Sequence, residues 1–193
     1  MTKGSFRIVL WIGAFLLSAV TSMGVILLAN ERPRTVAIGG PFQLTDQEGR
    51  TVTQQDLLGR PSLVFFGYTH CPDVCPATLF DISQIMHALG PDADRARAVF
   101  ITIDPERDTQ PVIKDYLSSF DPHITGLTGD LPAITAVAKE YRAYFRKVPI
   151  AGGEYAMDHT AITYLMDKEG RFVSPFSLKR VTEEAAADLR RHL

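Results

Sequence analysis

The sequence predicts an α/β domain: a mostly parallel central sheet, finished by a C-terminal hairpin and helix. Three observations carry this. Two short apolar runs, Ser62–Gly67 and 98–103, have the length and the Val, Ile and Phe content of buried strands. Between them Leu79, Ile82, Ile85, Met86 and Leu89 recur at three- and four-residue spacing, the signature of an amphipathic helix. The alternation of strand and helix then continues towards the C-terminus.

Each element can be justified in order. Residues 42–53 alternate loosely about Glu48-Gly49 and read as a β-hairpin. Ser62–Gly67 is the first buried strand. Residues 76–89 form the amphipathic helix, stopped at Gly90-Pro91. Residues 98–103 are the second buried strand. Residues 111–120 are helical, with Asp108 or Thr109 available as a cap. A short strand at 124–127 leads to a helix over 131–145. Residues 159–166 read as one strand, 167–170 as a turn and 171–176 as its partner. A helix over 182–192 closes the chain. Hairpin, then β-α-β-α-β-α, then β-β-α: this order describes a thioredoxin-like fold with an N-terminal β-hairpin and an insertion.

One transmembrane helix is expected before that domain. Residues 8–29 run for 22 positions without a charge, and about 20 apolar residues cross a bilayer core of roughly 30 Å. Lys3 and Arg7 precede the run, while Glu31, Arg32 and Arg34 follow it. The positive-inside comparison is nearly balanced, and the terminal amine tips it towards a cytoplasmic N-terminus. A cleaved signal peptide is the competing reading, kept open by Ser18-Ala19 and Thr21-Ser22. Against it, the run exceeds a usual h-region and lacks a clear small-x-small cleavage site. No transit peptide is visible in the seven residues before the span, so a bacterial inner membrane is the expected host. The organisation expected is a cytoplasmic N-terminus at 1–7, an anchor at 8–29, a tether at 30–40 and one domain at 41–193. That domain lies outside the cytoplasm.

About 160 residues follow the anchor, enough for one full core and too few for two ordinary domains. With Lys3 and Arg7 set aside, 18 of the 20 basic residues face 22 acidic ones, a balance of about −4. No stretch clusters basic residues with aromatics. A nucleic-acid partner, whose phosphates demand a positive surface, is excluded.

The chain holds only two cysteines, and both fall within Cys71-Pro72-Asp73-Val74-Cys75, just after the first buried strand. A structural disulfide across so short a loop would remove little unfolded-state entropy. The pair reads as a site for chemistry. Each cysteine precedes a proline, which biases it away from helical geometry. The expected arrangement has Cys71 ending the strand, Cys75 capping the helix and Pro76 at the first helical position. At the positive end of the helix dipole, Cys75 is expected to have a lowered thiol pKa. Metal ligation and redox exchange both use a thiolate, so this feature does not separate them.

His159 separates them. Asp158-His159-Thr160 opens the predicted penultimate strand, which in a thioredoxin-like sheet runs close to the cysteine loop. Thioredoxin oxidoreductases carry a cis-proline there, and no proline lies between Pro149 and Pro175. Two thiolates and one imidazole suit copper, since soft sulfur selects Cu(I) and three donors meet its trigonal preference. Zinc would want a fourth protein ligand. The plain alternative is a strand-edge histidine with no ligand role. His70 adjoins Cys71, but strand alternation points it away. Met157 could lend a thioether or simply pack. Asp73 and Asp158 could tune the site, face a partner or only provide loop polarity. His87, His123 and His192 read as surface residues.

Three motifs then carry a resemblance. Gly67-Tyr-Thr-His-Cys71-Pro-Asp-Val-Cys75-Pro76, Ile103-Asp-Pro-Glu-Arg-Asp-Thr109, and Asp158-His159 with Tyr164-Leu165 and Asp167 together resemble the SCO/SenC family, from about Gly39 onwards. The resemblance implies a membrane-tethered thioredoxin-like domain binding one copper per chain through Cys71, Cys75 and His159. It further implies assembly of the dinuclear copper (CuA) site of cytochrome c oxidase subunit II, with a periplasmic copper donor or thiol reductant as a second partner. The alternative it permits is a thiol-disulfide oxidoreductase that uses Cys71 and Cys75 to keep the oxidase's own copper-site cysteines reduced. A thiol peroxidase fits less well, because Pro72-Asp73-Val74 beside a second thiol resembles a chelate more than a lone peroxidatic cysteine. The role of residues 104–109 is not readable from the sequence.

Overall fold

The computed structural model describes residues 37–193. The predicted membrane span at 8–29 and its flanks up to residue 36 lie outside the described residues. Among the described residues no helix is long and apolar enough to cross a membrane.

The chain opens with a hairpin of β1 (Gln43–Asp46) and β2 (Thr51–Thr53). Asp46 closes its turn, the carboxylate accepting the backbone N–H groups of Glu48 and Arg50 at 2.9 Å each. Then come β3 (Ser62–Gly67), α1 (Val74–Leu89), β4 (Arg97–Thr102), α2 (Gln110–Leu117), β5 (Ile124–Thr128) and α3 (Leu131–Tyr141). The chain finishes with β6 (Phe145–Pro149), β7 (Tyr155–His159), β8 (Thr163–Met166), β9 (Phe172–Pro175) and α4 (Thr182–Arg190). Seven strands form one sheet in the order β2-β1-β5-β4-β3-β8-β9. β3, β4 and β5 are parallel, as their helical crossovers require. β8 and the N-terminal hairpin add antiparallel strands on either side.

Two same-direction steps, β3 to β4 and β4 to β5, carry α1 and α2 over the same face. Phe65 and Phe100, paired across β3 and β4, line that face with Gly67 and Gly126. At Gly126 a Cβ would stand 2.3 Å from Ile113 Cγ2 and 2.6 Å from Leu117 Cδ1. Only glycine lets α2 pack this close. α3 covers the opposite face, where Phe66, Tyr141 and Tyr164 meet edge to face or tilted within 5.4–6.1 Å. α4 packs against α1.

The expected thioredoxin-like α/β architecture is present, with two differences in the second half. The helix predicted over 131–145 stops at Tyr141, because Arg142 turns left-handed (φ 55°) and ends the α3 ladder. The strand predicted over 159–166 is two strands. β7 ends at His159, and β8 starts at Thr163 after three residues that belong to neither. β7 pairs with β6 instead, in a separate two-stranded sheet running from Phe145↔His159 to Pro149↔Tyr155. His159 therefore ends a hairpin strand rather than opening a strand of the main sheet.

Candidate metal centre

The site forms at the carboxyl end of β3. β3 ends at Gly67, and the Cys71 N–H closes a turn onto the Tyr68 carbonyl at 3.3 Å. Cys71 thus lies in a loop beyond the strand rather than at its last residue. The helix begins earlier than the prolines suggested. Asp73 is the N-cap, Cys75 is already the second helical residue, and Pro76 is the third. The correction has a simple physical basis. First-turn N–H groups have no partner within the helix, so Pro76 forfeits nothing there. The helical ladder starts just after it, with the Ala77 N–H bonded to the Asp73 carbonyl at 3.1 Å. The Cys75 N–H, also a first-turn donor, points to the Cys71 sulfur at 3.4 Å.

Gly67 explains where the Cys75 sulfur goes. A Cβ on Gly67 would lie 2.9 Å from Cys75 Sγ and 2.8–2.9 Å from the Phe65 and Phe100 rings. The sulfur occupies the hollow left by that hydrogen, and Cys75 is fully buried. Burial therefore decides its acidity. It pushes the Cys75 thiol well above its ordinary pKa, outweighing the Tyr68 backbone hydrogen bond that favours the thiolate. The magnitudes show why the expected lowering fails. A helix terminus contributes about 0.3–1 kcal/mol, under one pKa unit, whereas full burial can shift a pKa by roughly 3–5 units. The metal-free Cys75 is a neutral thiol. Cys71 is only half-buried, and both cysteines are free. Iodoacetamide should accordingly modify Cys71 first and leave Cys75 largely unreacted until the domain is unfolded. Peptide mass mapping over time checks this, and equal labelling of the two would contradict the burial.

His159 reaches this thiol through strand register. β8 runs antiparallel to β3 with Thr163 opposite Phe65, so the residues just before Thr163 sit over the carboxyl end of β3. The imidazole packs edge-on to Phe65 and Tyr68, ring centroids 6.4 and 5.9 Å away. Its Nδ1 lies 3.1 Å from the Thr160 carbonyl. A carbonyl can only accept, so Nδ1 donates to it and Nε2 is the ring nitrogen turned towards the cysteines. Nε2 lies 3.8 Å from Cys75 Sγ. With metal bonds of about 2.0 Å to nitrogen and about 2.3 Å to sulfur, one ion can touch both atoms. The three residues named from sequence are thus neighbours in series: Cys71 sulfur on the Cys75 amide, Cys75 sulfur on the His159 ring. Among the described residues no three His, Cys, Asp or Glu side chains form a ready-made metal cluster.

The other candidates separate. His70 is exposed, with Nδ1 3.1 Å from the Thr69 hydroxyl. Met157 is buried on the hairpin. Asp158 pairs with Arg146 across β6 and β7 at 3.2 Å, and Asp73 is an exposed cap. His87 is exposed and His192 half-buried. His123 differs from its surface reading. Its ring lies between Asp121 at 2.7 Å and Asp94 at 3.1 Å, and although burial opposes it, their hydrogen bonds and charge raise its pKa.

Sequence reasoning missed the residues that support the site. Asp108 is fully buried and accepts the Thr69 N–H (3.0 Å), the Thr69 hydroxyl (2.6 Å) and the Thr102 hydroxyl (2.6 Å). Burial raises its pKa, and those hydrogen bonds oppose the shift. Asp104 is also buried and accepts the Tyr155 hydroxyl at 2.9 Å while pairing with Arg107. The only signal was the motif of residues 104–109 itself, since the partners lie 39 and 51 positions away.

The sequence profile of the SCO1/SenC family matches residues 30–193. The structure of Bradyrhizobium japonicum ScoI with copper bound is 63% identical, with a TM-score of 0.79 over 81% of this chain and all of that one. Yeast Sco1 with copper bound is 37% identical, with a TM-score of 0.74 over 81% of this chain and 88% of that one. The human mitochondrial protein SCO1 homolog is 39% identical over 175 residues, 86% of this chain but 57% of its own length. This chain therefore spans little more than half of that relative. Profile, identity and coverage lead to one conclusion: the chain belongs to the SCO1/SenC family.

Proposed function

We propose that this chain is a membrane-anchored copper metallochaperone that carries one copper through Cys71, Cys75 and His159 and delivers it to the CuA site of cytochrome c oxidase subunit II. The observation that carries the reading is the 3.8 Å approach of His159 Nε2 to the Cys75 sulfur. Two sulfurs and an imidazole are a soft, three-donor set that suits copper better than zinc or magnesium. The copper-bound bacterial and yeast relatives support the same choice of metal. The anchor at 8–29, the tether at 30–40, the domain at 41–193 and a periplasmic location at a bacterial inner membrane complete the proposal.

The test is stoichiometry against redox state. The reduced domain should retain one copper per chain after dialysis against a competing chelator. Oxidation to the Cys71–Cys75 disulfide removes both thiolates and should release it. Retention of copper by the disulfide form would sink the thiolate site. The anchor is tested separately. Full-length protein should sediment with membranes and need detergent, whereas a chain starting at Arg34 should be soluble and folded; membrane-free full-length protein would remove the anchor.

One observation favours the second reading. A half-buried Cys71 beside a buried Cys75 has the asymmetry of an attacking and a resolving thiol. In that role the Cys71 thiolate attacks a partner disulfide, and Cys75 displaces the partner's second thiol. The partner leaves reduced and this chain as the disulfide. Reductase turnover that persists in His159→Ala, together with absent copper retention, would favour it.

A further inference from the structure

Residues 104–109 form neither strand nor helix, yet Asp104 and Asp108 are only 1% and 0% exposed. From this segment hydrogen bonds leave in two directions. Asp108 holds Thr69, two residues before Cys71, by two hydrogen bonds, and accepts a third from Thr102 of β4. Its own carbonyl accepts the Thr128 hydroxyl at 2.9 Å, tying the same residue to β5. In the other direction the segment meets β7. The Tyr155 hydroxyl donates to Asp104 at 2.9 Å, and Arg107 donates to the Tyr155 carbonyl at 3.0 Å. The Arg107 guanidinium also lies over the Tyr155 ring, 3.8 Å from its centroid, and pairs with Asp104. Beside them Lys147 of β6 meets Glu106 at 2.5 Å.

The hairpin needs such contacts. β6 and β7 share no ladder with the seven-stranded sheet, so backbone pairing brings His159 to the end of β3 only through the three-residue link to Thr163 of β8. Side chains must supply the rest of the seating. Charge-assisted hydrogen bonds and a cation–π contact, partly shielded from water, are among the stronger ones available.

We propose that residues 104–109 are a two-armed brace: Asp108 positions the cysteine loop through Thr69, and Asp104 with Arg107 positions the His159 hairpin through Tyr155. The brace thereby sets the separation between the sulfurs and the imidazole. These are positioning residues, none of which touches the metal. The inference rests on the reading of Cys71, Cys75 and His159 as the metal site, and its test is built to fail separately from it.

The variants are Arg107→Met, which keeps the stem and removes the donors, Tyr155→Phe, which removes one hydroxyl, and Arg107→Lys as the conservative control. In the metal-free domain, amide hydrogen exchange across β6 and β7 should quicken about tenfold in Arg107→Met and measurably in Tyr155→Phe, with β3 and β4 unchanged. Arg107→Lys should restore part of the protection. With copper, both loss variants should hold Cu(II) about tenfold less well and shift its thiolate charge-transfer band, while Cu(I) retention stays at the wild-type level. Thr69→Val tests the other arm without a buried charge change. It should weaken both oxidation states, and Thr69→Ser should restore them. Unchanged hairpin exchange in Arg107→Met, or equal loosening of β3 and β4, would overturn the brace. A wild-type domain that takes up no copper yet shows the stated exchange pattern would support the brace and sink only the metal reading.

Discussion

Cys71→Ser and Cys75→Ser are each expected to abolish tight copper binding, and His159→Ala to weaken it selectively. The asymmetry follows from donor chemistry. A serine hydroxyl is a hard, protonated oxygen at neutral pH, so either replacement leaves one thiolate and one imidazole for a soft ion. Loss beyond about 100-fold is expected, since even changes to groups behind the ligands can cost 10–100-fold. His159→Ala keeps both sulfurs, which can still hold Cu(I) linearly. Cu(II) prefers nitrogen and more donors, so its retention should fall much further. The measurement is copper retained against a competing chelator, in both oxidation states, for wild type and the three variants. Equal retention by wild type and His159→Ala in both states would falsify the three-ligand site and leave the oxidoreductase as the better reading.

Gly67→Ala is the second large effect, and it links packing to chemistry. The new methyl has nowhere to go: ring carbons of Phe65 and Phe100 and the Cys75 sulfur all stand within 2.9 Å of it. Overpacking of this kind costs about 1–3 kcal/mol. For a domain of this size that lowers the melting temperature by about 2–4 °C per kcal/mol. It should also displace the sulfur and reduce copper retention. Gly126→Ala is the matched control, because its methyl would clash with Ile113 and Leu117 on α2, away from the sulfurs. Both variants should melt earlier, but only Gly67→Ala should lose copper. Parallel behaviour of the two would show that Gly67 matters for packing alone.

What the sequence made legible was the part whose signals are local. Ser62–Gly67 shows its strand in six consecutive buried residues, and α1 shows its helix in the spacing from Leu79 to Leu89. The cysteine pair was visible by scarcity, and His159 by standing, in a proline-free stretch, where thioredoxin oxidoreductases carry a cis-proline. The β6–β7 hairpin was not legible. Phe145-Arg-Lys-Val-Pro149 alternates too weakly to stand against the helical periodicity running into Tyr141, and residues 159–166 keep an apolar pattern across the break that ends β7. Cys75's position was misjudged because the pre-proline bias is a modest local preference. Tertiary burial beneath Gly67 overrode it. Asp108 and Asp104 escaped because a buried carboxylate is recognisable only by its partners, and Thr69 and Tyr155 lie 39 and 51 positions away.

The long reach between Cys75 and His159, 84 residues apart, has a consequence for the order in which the molecule assembles. During synthesis the cysteine loop exists while the second half of the domain is still missing. β3 can pair with β4 early, but β8 joins β3 only after the intervening chain has emerged and closed a long loop, a non-local step that is intrinsically slow. Until then no imidazole stands opposite the sulfurs, and Gly67 has only part of the burial that shelters Cys75. A folding chain therefore passes through an interval in which both thiols are open to oxidants. The finished arrangement is a late product: the His159 imidazole meets Cys75 only in chains that have completed the central sheet.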